Sequence, residues 1–531
     1  MAVQKEFSFH HSFGLQYHSD LFAFILEDVN QGNEIQIFIS QSDAFADSEG
    51  YRLHTKKINS GLQIDIAYGT ERGLVYALFA IRRACKHNRF LLGEIDEAPK
   101  FKVRGYIEGF YGRPWSKETR KAMLEYAVSY GANTHYYAPK DDPYHRKLWR
   151  EEYPQKELLQ LKELADTAAA YRMEFAYCIA PGLSICYASE AEFACLTQKI
   201  TQLYDIGIRS FGLLLDDIAP ELYYEEDKQK YNSTVEAHID LINRTDSFLQ
   251  ALDNCTLTVC PTEYWGKGDS AYLCRLGQGI PAHIRMFFTG NDICSKEITS
   301  EEAAVFAKNT NRPPLYWDNY PVNDAEMFME MHLGPLLGRS NDLWRHAEGE
   351  IFNCMEYAQC TKIPLATALT YLWAPQTYNP EQAYLQAVEE NIPQEEREAF
   401  LLLADHLRTS CLKDENSHIM GEHLVRCLAA LESGEPTAAK EIFTAYSTKM
   451  TAAAAVLKKR KDGIYNELRI WIEKFILCAD ILALGGEILF DKADKKEELK
   501  TKMQRYNRDA TVLTAFCFRE MVEYILQDFT Y

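Results

Sequence analysis

The sequence predicts an α/β protein: a (β/α)8 barrel (the TIM-barrel class) with a small N-terminal α+β unit and a C-terminal helical bundle. Three observations carry that expectation. Eight strand-like runs alternate with helical ones between about residues 102 and 370, and the stretch has the ~250 residues such a barrel needs. No GxGxxG and no phosphate loop follows any of those strands, as an open doubly wound sheet would favour. The residues flanking the stretch carry different periodicities. The expected units are 1–98, 99–375 and 376–531.

In the first unit Ile35, Ile37 and Ile39 alternate with polar neighbours, as do Leu62, Ile64 and Ile66, so each run reads as a half-buried strand. A helical pattern covers 71–86, with Leu74, Ala77, Leu78 and Ile81 on one face. The barrel strands are expected at 102–109, 133–139, 174–180, 209–216, 256–264, 284–290, 314–319 and 350–355. Helices are expected at 117–130, 156–171, 190–204 and 234–252, with Ser116 and Ser300 as N-caps. Beyond the turn-rich junction YLWAPQTYNPEQA the chain is rich in Ala, Leu, Glu and Lys with helical periodicity. The run KKRK at 458–461 reads as a solvated helix face.

Composition narrows the functional classes. Of 531 residues 47% are hydrophobic and 25% charged, which excludes wholesale disorder. Against 77 acidic residues stand 57 basic ones, a net charge of −20 that repels phosphate backbones, so no nucleic-acid partner is expected. The fourteen cysteines form no CxxC pair and sit mostly in apolar runs, which suggests free thiols in a reducing compartment. The N-terminus lacks an apolar signal core and no greasy stretch is long enough to span a bilayer. A cytoplasmic location and no membrane partner are expected.

Chemistry should be read at the C-terminal strand ends, where barrels of this class build their sites. Those ends are polar: Glu108-Gly109-Phe110-Tyr111 after the first strand, Lys140-Asp141-Asp142 after the second and Asp216-Asp217 after the fourth. Glu263-Tyr264, Thr289-Gly290-Asn291, Trp317-Asp318-Asn319 with Asn323-Asp324, and Asn353 follow at strands five to eight. Each alone has a structural explanation, as a cap, an ion pair or a packing aromatic. Together, carboxylates and carboxamides with aromatic walls suit a hydroxyl-rich ligand, which points to a sugar. No histidine stands among these positions, which disfavours a metal; no cofactor is expected.

Seven segments also resemble glycoside hydrolase family 84, which includes β-N-acetylglucosaminidases and O-GlcNAcases. They are GYIEGFYGRPWS (105–116), YYAPKDDPYHRKLWREEYP (136–154), LLLDDI (213–218), CPTEY (260–264), FFTGNDICSKEIT (287–299), WDNYPVND (317–324) and FNCMEYA (352–358). The resemblance implies a retaining, substrate-assisted hydrolysis, in which the sugar's own 2-acetamido oxygen attacks C1 and forms an oxazoline. It implies that Asp216 polarises the acetamido N–H and that Asp217 is general acid, then general base. Adjacent carboxylates on one strand end are poorly placed to reach C1 from opposite faces, so a nucleophile from the substrate resolves the geometry. The resemblance further implies sugar-hydroxyl contacts at the Gly109 carbonyl, Lys140, Asp324 and Asn353. Tyr264, Thr289, Trp317 and Asn319 would line the acetamido pocket or position the acid pair, with Tyr111 and Ile293 as pocket wall.

The expected activity is removal of β-linked N-acetylglucosamine from glycans or from O-GlcNAc-modified protein, and the expected partner is that glycan or glycoprotein. An endo-acting hyaluronidase is an alternative, although a polyanion would be repelled by the net charge. A non-catalytic glycan- or glycopeptide-binding barrel is another, which intact Asp216 and Asp217 argue against. A homodimer through the C-terminal helices is a further expectation.

Overall fold

The structure, a computed structural model, describes residues 7–11, 34–46, 48–59, 61–87, 89–414, 417–513 and 516–527. Five strands form an N-terminal sheet: β1 (Phe7–His11), β2 (Glu34–Gln41), β3 (Tyr51–Ile58), β4 (Gly61–Tyr68) and β5 (Gly93–Glu97), in the order β1-β2-β4-β3-β5. The alternating isoleucines of β2 and β4 are buried, and the helix Glu71–His87, packed against β3 and β4, adds Leu74, Ala77, Leu78 and Ile81 to the same core.

Eight parallel strands follow: β6 (Val103–Glu108), β7 (Thr134–Tyr137), β8 (Glu174–Ile179), β9 (Ser210–Leu214), β10 (Thr256–Cys260), β11 (Arg285–Phe288), β12 (Leu315–Asp318) and β13 (Gly349–Asn353). They close into a barrel through the β13–β6 pairing, in which Gly349 stands opposite Val103 and Asn353 opposite Ile107. All eight expected strands are present. Val103, Ile107, Tyr136, Cys178, Leu214, Phe287 and Ile351 fill the interior as a packed core, so a ligand is confined to the mouth.

Two local expectations are corrected. Ser116 caps the helix Lys117–Ser129 by accepting from the Thr119 amide, as expected. At the helix Ser300–Thr310, however, the cap is Thr299: its hydroxyl accepts from the Glu302 amide, and the Glu302 carboxylate accepts from the Thr299 amide. That reciprocal box satisfies two orphan donors, which Ser300 one residue on would not. The KKRK run lies in the turn that ends the helix Pro436–Leu457 and does not line its face, because Arg460 turns back to pair with Glu396 at 3.0 Å.

Two devices tie the flanking units to the barrel. Buried Arg104 on β6 pairs with Glu49 and donates to the Phe101 and Gly131 carbonyls, joining the N-terminal sheet to the barrel floor. At the other end, Glu467 accepts from the amides of Gln359 and Cys360, capping the helix Ala358–Trp373 that follows β13. Trp471 Nε1 and the Val512 amide both donate to the Met329 carbonyl in the segment after β12. The C-terminal helices therefore bear on the barrel mouth. No described helix is long and apolar enough to cross a membrane.

Candidate active site

A hollow of about 230 Å³, room for one sugar ring, opens at the C-terminal strand ends. All twelve residues expected from the sequence line it: Gly109, Tyr111, Lys140, Asp216, Asp217, Tyr264, Thr289, Ile293, Trp317, Asn319, Asp324 and Asn353. A larger hollow, about 720 Å³, lies at the opposite end of the barrel against the first residues of β8, β9 and β10. Its charges already have partners, Arg72 with Glu49 and Arg172 with Glu71. Its size reflects the seam between sheet and barrel.

The acid pair follows β9 after a single residue, Leu215. The Leu215 amide still donates to Cys260, and the Thr262 hydroxyl donates to the Leu215 carbonyl, so the chain is held at the barrel edge where Asp216 begins. Asp217 then takes a left-handed backbone conformation, φ 51°. Such a conformation costs a non-glycine residue about 1 kcal/mol or more and clusters at functional sites. It sends two consecutive side chains into one cavity.

Lys140 Nζ lies 3.6 Å from Asp216 Oδ2, with both side chains nearly buried. Burial alone would pull the lysine toward its neutral form; the Asp216 carboxylate, joined by Tyr111 and Asp217, offsets this and holds the ammonium above its ordinary value. Each oxygen of Asp217 accepts from a phenol at 3.1 Å, Oδ1 from Tyr264 and Oδ2 from Tyr111. Arg146 donates to the Tyr111 hydroxyl at 2.9 Å. Burial, then the neighbouring Asp217 charge, push the Tyr264 phenol well above its ordinary value, so it stays a donor.

The opposite wall is a carboxamide relay. Asn319 Oδ1 accepts from Trp317 Nε1 and from Asn353 Nδ2, both at 3.0 Å, while Asn319 Nδ2 donates to the Ile293 carbonyl at 2.8 Å. Asn353 Oδ1 is buried with no protein partner, an acceptor left open beside the cavity. Asp324 Oδ2 accepts from the Tyr111 amide at 2.8 Å. Burial raises the Asp324 carboxyl above the usual range, and the Tyr111 amide and Lys140 moderate that rise. Gly109 is needed for closeness: a Cβ there would lie 2.7 Å from Trp317 Cζ2 and 3.2 Å from Asn353 Oδ1.

Other polar strand-end residues belong to the scaffold. Glu108 is fully buried in a two-bond pair with Arg120. Asp142 accepts from the Tyr137 and Tyr153 hydroxyls, Asp318 pairs with Arg339, and Asn291 binds Glu302. Four lining residues escaped the sequence reading: Cys260, Cys294, Val322 and Ala325. Cys260, Cys294 and Val322 lie in the segments CPTEY, FFTGNDICSKEIT and WDNYPVND and could have been found there; Ala325 reaches the cavity through loop geometry.

Residues 104–405 match the family model described as beta-N-acetylglucosaminidase. Protein O-GlcNAcase of Mus musculus is 37% identical over 269 residues, 50% of this chain and 29% of that protein. The Rattus norvegicus protein of the same name is 37% identical over 255 residues, 47% of this chain and 27% of its own length. The matched stretch thus spans under a third of these curated relatives. A solved O-GlcNAc hydrolase mutant from Thermobaculum terrenum superposes with a TM-score of 0.77 at 30% identity, covering 80% of this chain and 95% of that one. The solved structure CpGH84B gives 0.83 at 26% identity, over 99% and 97%.

Proposed function

The chain belongs to the beta-N-acetylglucosaminidase family, and from that premise we propose that it hydrolyses terminal β-linked N-acetylglucosamine, with retention, through the substrate's own acetamido group. The observation that carries this reading is the convergence of Asp216, Asp217 and Lys140 with a carboxamide–indole wall in one cavity sized for a single sugar. In this reading Asp216, paired with Lys140, accepts the acetamido N–H and turns the carbonyl oxygen toward C1. Asp217 donates its proton to the glycosidic oxygen, then takes one from the water that opens the oxazoline. Tyr264 and Tyr111 fix its orientation. Asp324, Asn353, Lys140 and the Gly109 carbonyl bind hydroxyls, and Trp317, Asn319, Thr289 and Ile293 enclose the acetamido group.

The substrate's sugar would sit on an O-GlcNAc-modified protein or a glycan, as the curated relatives named Protein O-GlcNAcase suggest. The fourteen free thiols support a cytoplasmic, reducing location. A homodimer through the C-terminal helices belongs to the same reading; exposed Ile419 and Val425 offer it apolar surface, and light scattering reads it directly.

The decisive experiment replaces the N-acetyl of an aryl β-N-acetylglucosaminide by mono-, di- and trifluoroacetyl. Each fluorine weakens the carbonyl oxygen as a nucleophile, so kcat/KM should fall steeply along the series. A flat series, or no hydrolysis of the parent compound, would sink the proposal.

A further inference from the structure

The Tyr111 ring has two cations beside it, Lys140 Nζ at 5.2 Å and Arg146 Cζ at 6.0 Å from its centre. Lys140 is paired with Asp216. Arg146 forms no ion pair with a described carboxylate, and its one side-chain hydrogen bond to a described residue is to the Tyr111 hydroxyl. The aspartates upstream in the same segment do not serve it. Asp142 is taken by the Tyr137 and Tyr153 hydroxyls and the Tyr144 amide, and Asp141 is exposed. The Arg146 backbone is nonetheless fixed. Its neighbour His145 is buried, donates from Nδ1 to the Cys178 carbonyl at 2.7 Å and accepts at its own carbonyl from the Ala180 amide, which pins the turn to the end of β8.

Position says which part of a substrate this guanidinium meets. Arg146 stands two hydrogen bonds from Asp217, through Tyr111, yet it does not line the sugar-sized hollow. In the mechanism proposed above Asp217 protonates the glycosidic oxygen, so its flank faces the leaving group and not the sugar. We propose that Arg146 is a specificity-determining residue that favours an anionic aglycone, a glycopeptide with an acidic residue beside the modified serine or threonine. This rests on the hydrolase reading. A carboxylate brought there fills the open donors of the guanidinium fork, whose geometry it matches. The chain's net charge of −20 repels a polyanion as a whole, but a single carboxylate at this point meets Arg146 first. Pairs of this partly exposed kind contribute up to about fivefold in affinity and are screened by salt.

Two synthetic O-GlcNAc-serine peptides test it on the full chain, one with aspartates on both sides of the serine and one with asparagines. At low ionic strength kcat/KM should favour the aspartate peptide by about three- to fivefold, mainly through KM, and about 0.5 M sodium chloride should erase the difference. Arg146→Lys should keep most of the preference. Arg146→Gln, which can still donate to Tyr111, should bring the ratio to one or below. A residue that merely braced Tyr111 would slow both peptides alike and leave the ratio where it was. A ratio of one in the parent protein, or a preference that survives in Arg146→Gln, overturns the proposal. An aryl N-acetylglucosaminide run alongside separates the two readings. If it is hydrolysed while the peptides show no preference, the specificity fails alone; if nothing is hydrolysed, the hydrolase reading fails and the specificity with it.

Discussion

Asp217 is held more tightly than a rim carboxylate usually is, by two phenols and by its own left-handed backbone. A group so oriented suits a task in which the direction of proton delivery matters. Asp217→Asn should lower kcat by roughly 10²–10⁴-fold with the fold intact by circular dichroism. The loss should be largest for an alkyl leaving group and small for dinitrophenyl, which departs without protonation. Asp216→Asn should lose as much with either leaving group, because in the proposed mechanism its target is the acetamido and not the aglycone. If both variants respond alike to leaving-group acidity, the division of labour is wrong. Gly109 gives a second test at this scale. Gly109→Ala places a methyl against Trp317 and Asn353, so KM should rise at least tenfold, with about 1–3 kcal/mol of overpacking cost read from the denaturation midpoint.

At the level of elements, the junction of β12 and β13 carries a buried charge cluster under the Trp317–Asn319 wall of the cavity. Arg339 pairs with Asp318 at 2.6 Å and lies 3.7 Å from Glu350, while also donating to the Ser295 and Lys296 carbonyls. Burial foremost, then the Asp318 charge, push the Glu350 carboxyl well above the usual range. The native protein thus keeps a proton that the unfolded chain releases. Stability from this site is fully present below the ordinary carboxylate range and is lost as pH rises through the folded value. Glu350→Gln keeps the shape and removes the titration. Its Tm should exceed that of the parent in alkaline buffer and match it in acid, and equal differences at both ends would refute a protonated Glu350.

Elements were legible where burial imposed a period. The eight barrel strands and the helix Glu71–His87 have apolar faces, and the sequence reading placed them within a few residues. β5 went unseen because GEIDE offers one part-buried isoleucine and pairs only as an edge. β3 alternates at Tyr51 and Leu53, then runs into Lys56 and Lys57. The rim was legible as polar, yet polarity alone does not separate Asp216, which faces the cavity, from Asp318, which faces Arg339. That distinction depends on which side of the strand end each carboxylate leaves, and on loop partners remote in the chain.

For the whole molecule, the question is why a barrel with its chemistry on its own strand ends carries so many further helices. The contacts indicate bracing. Asp324 opens a long segment between β12 and β13, and five residues on the Met329 carbonyl accepts from both Trp471 Nε1 and the Val512 amide. Leu333 donates to the Leu407 carbonyl a little further along. Without such ties this segment would pay its ordering cost each time a sugar bound, and weaker binding would follow with the chemistry unaltered. Trp471→Phe removes one donor while keeping most of the buried ring. The hydrogen bond contributes about 1 kcal/mol, which corresponds to a several-fold rise in KM if it is felt at Asp324. No change in kcat is expected, since Asp216 and Asp217 hang from β9 on another part of the barrel. Steady-state kinetics on a simple aryl N-acetylglucosaminide separates the two terms. A fall in kcat at constant KM would mean that the helices act on the acid pair and not on the grip around the sugar.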